Sequence, residues 1–400
     1  MVGLRGMEDV DSSEVNASSE SQTTASGSNT HGTVNQHPGS SRPAKAETSG
    51  LSTALAGPDG KVPFRVGIAE DRNKRWRRTM EDAHAFVYDF GSVHGQGYFG
   101  VFDGHAGKHS AEWCGQHFHE YLLDTLVNHS NQSVPDIFNK TYHSVDQQLS
   151  QLADQLGSSS GCTAVTVLLR LEDEDGKPAA HAETGGVDKT SRKDSSKSKD
   201  ASSKIEGVSA NVSKDGLVEV SGEKIRRVLY TANVGDARAV LCRGGKAVRL
   251  TYDHKGSDAQ EAKRIMDAGG FVMNNRVNGV LAVTRSLGDA AMKDFVVGAP
   301  YTTETTLSDQ DSFLIVACDG LWDVADDQDA VDLIRDEEDP QVAAARLLQH
   351  ALSNFSTDNT SVMVVRFACN AEAAKNTQPG FSANVAGGTG PEGDLKEKES

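Results

Sequence analysis

Four groups of residues carry the chemistry of this chain: Glu81-Asp82, Asp103-Gly104-His105, Asp319-Gly320 with Asp323, and Asp358-Asn359. They are far apart in sequence, yet each borders a run rich in Val, Ile, Phe and Tyr. Strand ends are where side chains from distant segments converge on one cleft. Carboxylates gathered within several Å repel one another unless cations lie among them. A donor set made of oxygen alone suits hard ions, Mg2+ or Mn2+, better than Zn2+. The chemistry indicated is a binuclear metal site. Arg77-Arg78 stand just ahead of Glu81-Asp82, so two cations lie where an anionic substrate group would meet the metals. Taken singly, each Asp-Gly or Asp-Asn pair is also ordinary turn chemistry, and the Arg77 to His84 segment is also a solvated, ion-paired turn.

Strands must position these residues. Periodicity and β-branched content predict strands over Phe64 to Ala69, His84 to Phe90, Gly97 to Val101, Cys162 to Leu169, Arg227 to Asn233, Ala237 to Cys242, Phe313 to Ala317 and Ser361 to Phe367. Asp103 and Asp319 each follow such a run and precede a Gly that would let the backbone turn sharply. Helices are predicted over Lys108 to Val127, Pro135 to Leu152, Ser257 to Ala268 with Ser257 as N-cap, Asp329 to Ile334, and Gln341 to Ser353. Strands grouped with paired helices between them, without regular βαβ alternation, give an α+β class with largely antiparallel sheets.

The folded part is smaller than the 400-residue chain. Residues 1–60 hold eleven Ser, six Thr and no aromatic residue, too little apolar surface to offset the entropy of ordering. The segments 172–224 and 369–400 are similarly polar. One domain over 61–368 is therefore expected, with a low-complexity insertion at 172–224 that enlarges a hairpin connection, between two disordered tails. The net charge is −17, and the core outside these segments keeps 25 Lys and Arg against 33 Asp and Glu. That balance offers nucleic acid and anionic membranes no general attraction. The longest purely apolar stretch, Phe313 to Cys318, is far short of the roughly 20 residues of a membrane span. Five scattered cysteines form no disulfide or zinc-ribbon pattern, and the N-terminus has no signal-peptide layout, which points to the cytoplasm or nucleus. Histidines 105, 109, 117 and 119 near Cys114 are explained by an acidic surface helix rather than by zinc.

Seven segments in order resemble the metal-dependent Ser/Thr protein phosphatases of type 2C. They are Arg77 to His84, Tyr98 to Gly107, Ser160 to Ala164, Ala232 to Arg238, Arg276 to Asp289, Ala317 to Asp323, and Thr357 to Asn359. Leu250 to Lys255 and Asp326 to Ala330 are similar to the fungal members in particular. The resemblance implies a four-layer α-β-β-α fold, a β-sandwich of two antiparallel sheets flanked by pairs of helices, with two divalent cations at one end. It implies that Asp103 bridges both ions, that Glu81 and the carbonyl of Gly104 hold one, and that Asp319 and Asp358 hold the other. Asp82, Asp323 and Asn359 would support them, Asp82 by acting on the water at the metals. Arg77 would bind the phosphoryl group and His105 would give the leaving oxygen its proton. Water shared by the ions would attack phosphorus directly, with no phosphoenzyme. A weaker third ion is expected to use an Asp three residues before the Gly of Gly161-Cys162-Thr163-Ala164, but Ser158 stands there, with Asp154 upstream. Asn274 to Asp289 is similar to the family's flap. The implied partners are phosphorylated proteins, MAP kinases of stress pathways among them, with the N-terminal tail as a candidate adaptor site on a monomeric enzyme. Two other functions use similar residues: a phosphoprotein-binding domain without catalysis, and a two-metal nuclease or small phosphomonoesterase.

Overall fold

The computed structural model describes residues 62–180, 209–212, 217–222 and 225–368. The expected tails at 1–60 and 369–400 lie outside these residues. The first half forms β1 (Phe64–Asp71), β2 (Ala83–Tyr88), β3 (Gly97–His105), α1 (His109–Asn128), α2 (Val134–Leu156), β4 (Gly161–Glu172), β5 (Ser209–Val212), β6 (Val218–Ser221) and β7 (Arg226–Val234). Next come β8 (Arg238–Arg243), β9 (Lys246–Arg249), α3 (Ala259–Asp267), β10 (Val272–Met273), β11 (Arg276–Val277) and β12 (Leu287–Gly288). The chain closes with β13 (Tyr301–Thr306), β14 (Asp311–Ala317), α4 (Asp319–Trp322), α5 (Asp327–Ile334), α6 (Pro340–Ser353) and β15 (Thr360–Phe367).

Two antiparallel sheets carry the site. One runs β13-β7-β4-β3-β2, with β12 also paired to β4; the other runs β1-β15-β14-β8-β9. The alternation along β3 shows why they stack. Tyr98 and Phe102 face α1 and α2, where they meet Phe118, Leu122 and Tyr142. Phe99 and Val101 point the other way, into the space between the sheets, against Leu314, Val316, Met363 and Val365. On the outer face of the second sheet, Phe313, Ile315 and Val364 pack on Leu321, Val331, Ile334 and Leu347 of α4 to α6. Both sheets are thus buried on both faces, giving the expected four layers. Burial of each such side chain contributes roughly 1.5–3 kcal/mol.

The helix ends have local causes. Ser133 caps α2 and Pro135 occupies its first turn, while Gly157, at φ 62, closes it in the left-handed region. α3 is capped by Asp258, which accepts from the amides of Gln260 and Glu261; the expected cap, Ser257, lies one residue too early. The described residues of 172–224 are more ordered than the composition indicated. β4 runs through buried Glu172, Asp173 folds a turn by accepting from the amides of Asp175 and Lys177, and β5 pairs antiparallel with β6. β4 and β7, the strands on either side of the segment, pair antiparallel.

Candidate active site

Antiparallel pairing brings the starts of β2 and β15 and the ends of β3, β7 and β14 to one rim. Glu81 and Asp82 precede β2, Asp103 lies near the end of β3, Asp236 occupies the β7–β8 turn, Asp319 follows β14 and Asp358 precedes β15. One carboxylate oxygen each from Asp103, Asp236 and Asp319 lie within 4.8 Å of one another.

These groups are poorly compensated. Among the described residues, Oδ1 of Asp236 and Oδ1 of Asp319 are buried without a hydrogen-bond partner. Burial, reinforced by Asp319 and Asp82, pushes Asp103 well above the usual carboxylate range. Burial and the charges of Asp236 and Asp358 do the same to Asp319. Asp82 is pushed up to about 6, mainly by loss of water, and neither of its buried carboxylate oxygens has a hydrogen-bond partner among the described residues. Burial also raises Asp236 and Asp358, although Lys255 and Arg77 respectively draw them back. Buried orphan oxygens and an all-carboxylate donor set fit hard divalent cations, which would remove both the repulsion and the unmet hydrogen-bonding demand.

The remaining expected residues divide between the nest and its frame. Glu81 lies beside the nest, its Oε1 accepting from Thr79 Oγ1 at 2.7 Å and its Oε2 from the Gly107 amide at 3.0 Å. Arg77, half exposed, ion-pairs with Asp358 and donates through Nε to the Thr357 carbonyl at 3.3 Å. Asn359 is a clamp: its Oδ1 accepts from the Glu81 amide at 2.8 Å, and its Nδ2 donates to the carbonyls of Arg72 and Thr79. Exposed Asp323 joins the nest through Lys255, whose Nζ lies 3.3 Å from both Asp323 and Asp236. His105 Nε2 lies 2.7 Å from Oδ2 of Asp289, which also accepts from Ser286 Oγ. A Cβ at Gly161 would come within 2.5 Å of both members of this pair, so glycine is required there.

One expectation needs correction. Gly104 and Gly320 are not turn formers, since neither has a positive φ. Each lets a neighbouring backbone approach: a Cβ at 104 would sit 2.3 Å from the Glu81 carbonyl oxygen, and one at 320 would sit 2.0 Å from that of Asn359. The place where the resemblance puts an extra aspartate, held here by Ser158, contributes nothing to the nest. Ser158 accepts from the Ser160 amide and Asp154 is exposed on the last turn of α2, so neither joins the nest. The aspartate beside Asp319 is Asp236, to which sequence reasoning assigned no role. Its signal was present in Gly235-Asp236 at a strand end, where Gly235 takes φ +85.

Sandwich and nest together define a class, that of metal-dependent hydrolases whose cations are held by carboxylates at one rim of two stacked sheets. A family model described as protein phosphatase 2C matches residues 66–185 and 180–360. Protein phosphatase 2C homolog 1 of Saccharomyces cerevisiae is 43% identical over 304 residues, covering 76% of this chain and 94% of the relative. Its Schizosaccharomyces pombe namesake is 38% identical over 333 residues, covering 83% and 77%. A crystal structure of serine-threonine phosphatase 2C from Toxoplasma gondii has the same fold, with a TM-score of 0.56 at 19% identity over 82% of this chain and 99% of that one. The chain belongs to the protein phosphatase 2C family of serine/threonine phosphatases.

Proposed function

We propose that this chain hydrolyses phosphoserine and phosphothreonine in proteins with two divalent cations, Mg2+ or Mn2+. Glu81, Asp103, the Gly104 carbonyl, Asp319 and Asp358 would hold them, and Asp236 would join Asp319 at any further ion. The observation that carries this reading is the nest itself, in which three carboxylates share one 4.8 Å cluster and two of their buried oxygens are orphaned. When bound, the cations supply Lewis acidity that activates water and offsets charge on the phosphoryl oxygens.

The protein's own groups do the rest. Arg77 presents a guanidinium fork at the mouth, suited to two phosphoryl oxygens, and Asp358 orients it. Asp289 takes the Nε2 side of the His105 ring, which leaves Nδ1 to give a proton to the departing serine or threonine oxygen. Asp82, buried and close enough to Asp358 to feel its charge, would add negative charge that strengthens the hold on cations. Asn359 keeps the Arg77 to Glu81 segment against the start of β15.

The test is phosphate release from a phosphothreonine peptide by the full chain with Mn2+ or Mg2+, and again with EDTA. Release that requires the metal supports the reading. A folded chain that stays inert with either ion overturns it in favour of a binding protein, and faster hydrolysis of DNA overturns it in favour of a nuclease. The resemblance to fungal members supports stress-pathway MAP kinases as substrates in the cytoplasm or nucleus, with the N-terminal tail recruiting an adaptor. Dephosphorylation of such a kinase, compared between the full chain and one starting at residue 61, checks both points.

A further inference from the structure

The turn from Asp71 to Arg78 is locked from below and charged from above. Asn73, buried and at φ 56, accepts from the amides of Trp76 and Arg77. Its own amide donates to Asp71 Oδ1 and its Nδ2 to the Ser356 carbonyl at 2.6 Å. Asn359 holds the Arg72 carbonyl. On this frame Lys74, Arg75, Trp76 and Arg78 all project into solvent. Trp76 is 52% exposed with the Arg75 guanidinium 5.3 Å from its ring, and Phe355, 72% exposed, precedes the Ser356 that Asn73 grips.

The charge pattern is the unusual part. Five cations and no acid fall within residues 72–78 of an acidic chain. Among the described residues, Lys74, Arg75 and Arg78 make no ion pair, while the nearby carboxylates of Asp71, Glu81 and Asp358 are turned to Asn73, Thr79 and Arg77. A pinned turn that keeps like charges together beside an exposed indole is complementary to an anion, and Trp and Arg are the side chains that anchor interfaces. The neighbouring Arg77 marks the phosphoryl end of the cleft, and two or three extended residues span only about 10 Å.

We propose that Lys74, Arg75, Trp76 and Arg78 form a docking surface for an acidic flank of the phosphorylated peptide, supplied by Asp and Glu. The proposal rests on the phosphatase reading and adds a substrate class to it. The test uses the full chain with Mn2+ and phosphothreonine peptides of equal length whose flanks are neutral, Glu-rich, Lys-rich or carry a non-hydrolysable phosphonate on one serine. kcat/KM should favour the Glu-rich over the neutral flank by about tenfold, the sum expected of three exposed pairs. The preference should shrink as ionic strength rises from about 0.05 to 0.5 M. In Lys74→Glu/Arg75→Glu/Arg78→Glu it should vanish or invert toward the Lys-rich flank, and the phosphonate peptide separates phosphate from carboxylate recognition. Equal kcat/KM on all flanks overturns the proposal, as does a preference that survives in a charge-reversed variant still turning over the neutral peptide. If every peptide stays intact, the phosphatase reading fails instead, and fluorescence anisotropy of the labelled Glu-rich peptide decides the surface by whether charge reversal weakens binding. Tighter variant-sensitive binding of single-stranded RNA than of that peptide also overturns it.

Discussion

Two buried carboxylate sites in this molecule solve the same physical problem in opposite ways. Glu261 on α3 is 3% exposed, and burial alone would raise its pKa, but Arg285, Arg264 and Thr284 outweigh that and bring it down to about 2. Both of its oxygens are engaged, with Thr284 Oγ1 at 2.9 Å, Arg264 Nη2 at 3.0 Å and Arg285 Nη2 at 2.5 Å. Those arginines also reach the carbonyls of Phe295, Thr284 and Ala299, so one carboxylate ties α3 to the segment around β12. At the rim, loss of water is likewise the largest influence on Asp82, Asp103, Asp236 and Asp319, yet their nearest charges are mostly one another. The difference separates a carboxylate that serves the fold from carboxylates that burden it. Where the chain supplies the cations, the charge is structural; where it withholds them, the site is arranged for cations from solution.

The contrast breaks first at Asp319. Asp319→Asn should lower metal-dependent kcat/KM on a phosphothreonine peptide by about 10³-fold or more, comparable to removing a principal electrostatic contributor. The thermal midpoint of the metal-free variant should be unchanged or higher, since a source of repulsion is gone. A loss of activity accompanied by a lower midpoint would make Asp319 structural and end the comparison. Glu261→Gln should do the reverse, because it leaves two arginines without their buried partner. Loss of about 3 kcal/mol is expected, read as a lower midpoint of denaturant unfolding, whereas an unchanged midpoint would show that the cluster holds nothing.

Acidity sharpens the distinction through opposite slopes. Asp82 titrates near 6 in the folded chain, above its ordinary value, so between pH 4 and 6 the native state binds the proton more tightly than the unfolded one. Stability of the metal-free protein should therefore fall as pH rises through that window, by about 3 kcal/mol from Asp82, and go on falling above it as Asp103 and Asp319, raised further still, ionise in turn. Glu261, lowered to about 2, contributes stability that is complete above pH 4.5 and is lost as pH falls toward 2. Unfolding midpoints across pH 2–8 should show both limbs. Asp82→Asn should make the upper limb shallower between pH 4 and 6, Glu261→Gln should do the same to the lower, and Mn2+ should cancel only the upper.

The sequence was most legible where one rule acted alone. β3 and β14 are announced by their apolar runs, and the carboxylates beyond them by the anomaly of acid at the end of a buried strand. Legibility failed where tertiary context decided. β13, Tyr-Thr-Thr-Glu-Thr-Thr, is a sheet edge without an apolar face, so hydrophobic alternation does not mark it, and only its Thr and Tyr content favours a strand. Glu172 and Asp173 read as part of an acidic run, yet Glu172 accepts from Tyr230 and Asp173 forms a turn. Asp236 was missed because a small Gly-Asp turn is commonplace until a second strand end places Asp319 against it. Lys255, Glu261 and Asp289 form ion pairs across long stretches of chain, which no local periodicity records.

Asp289 is an intermediate case that tests the comparison at its finest. It is buried, takes φ 47, and holds one cationic candidate, His105, and one hydroxyl, Ser286. Its partner is less complete than the arginines of Glu261 and nearer than any solution cation, which suits a group that orients a proton donor. If that is its work, the need for it depends on the leaving group. A serine or threonine alkoxide leaves only with a proton, whereas p-nitrophenolate leaves readily without one. Asp289→Asn, which preserves shape, should lower kcat on a phosphothreonine peptide by about tenfold, at the low end of general-acid effects, and change p-nitrophenyl phosphate turnover by less than twofold. A merely structural residue would depress both substrates together, and equal losses would place Asp289 with Glu261 among the carboxylates that serve the fold.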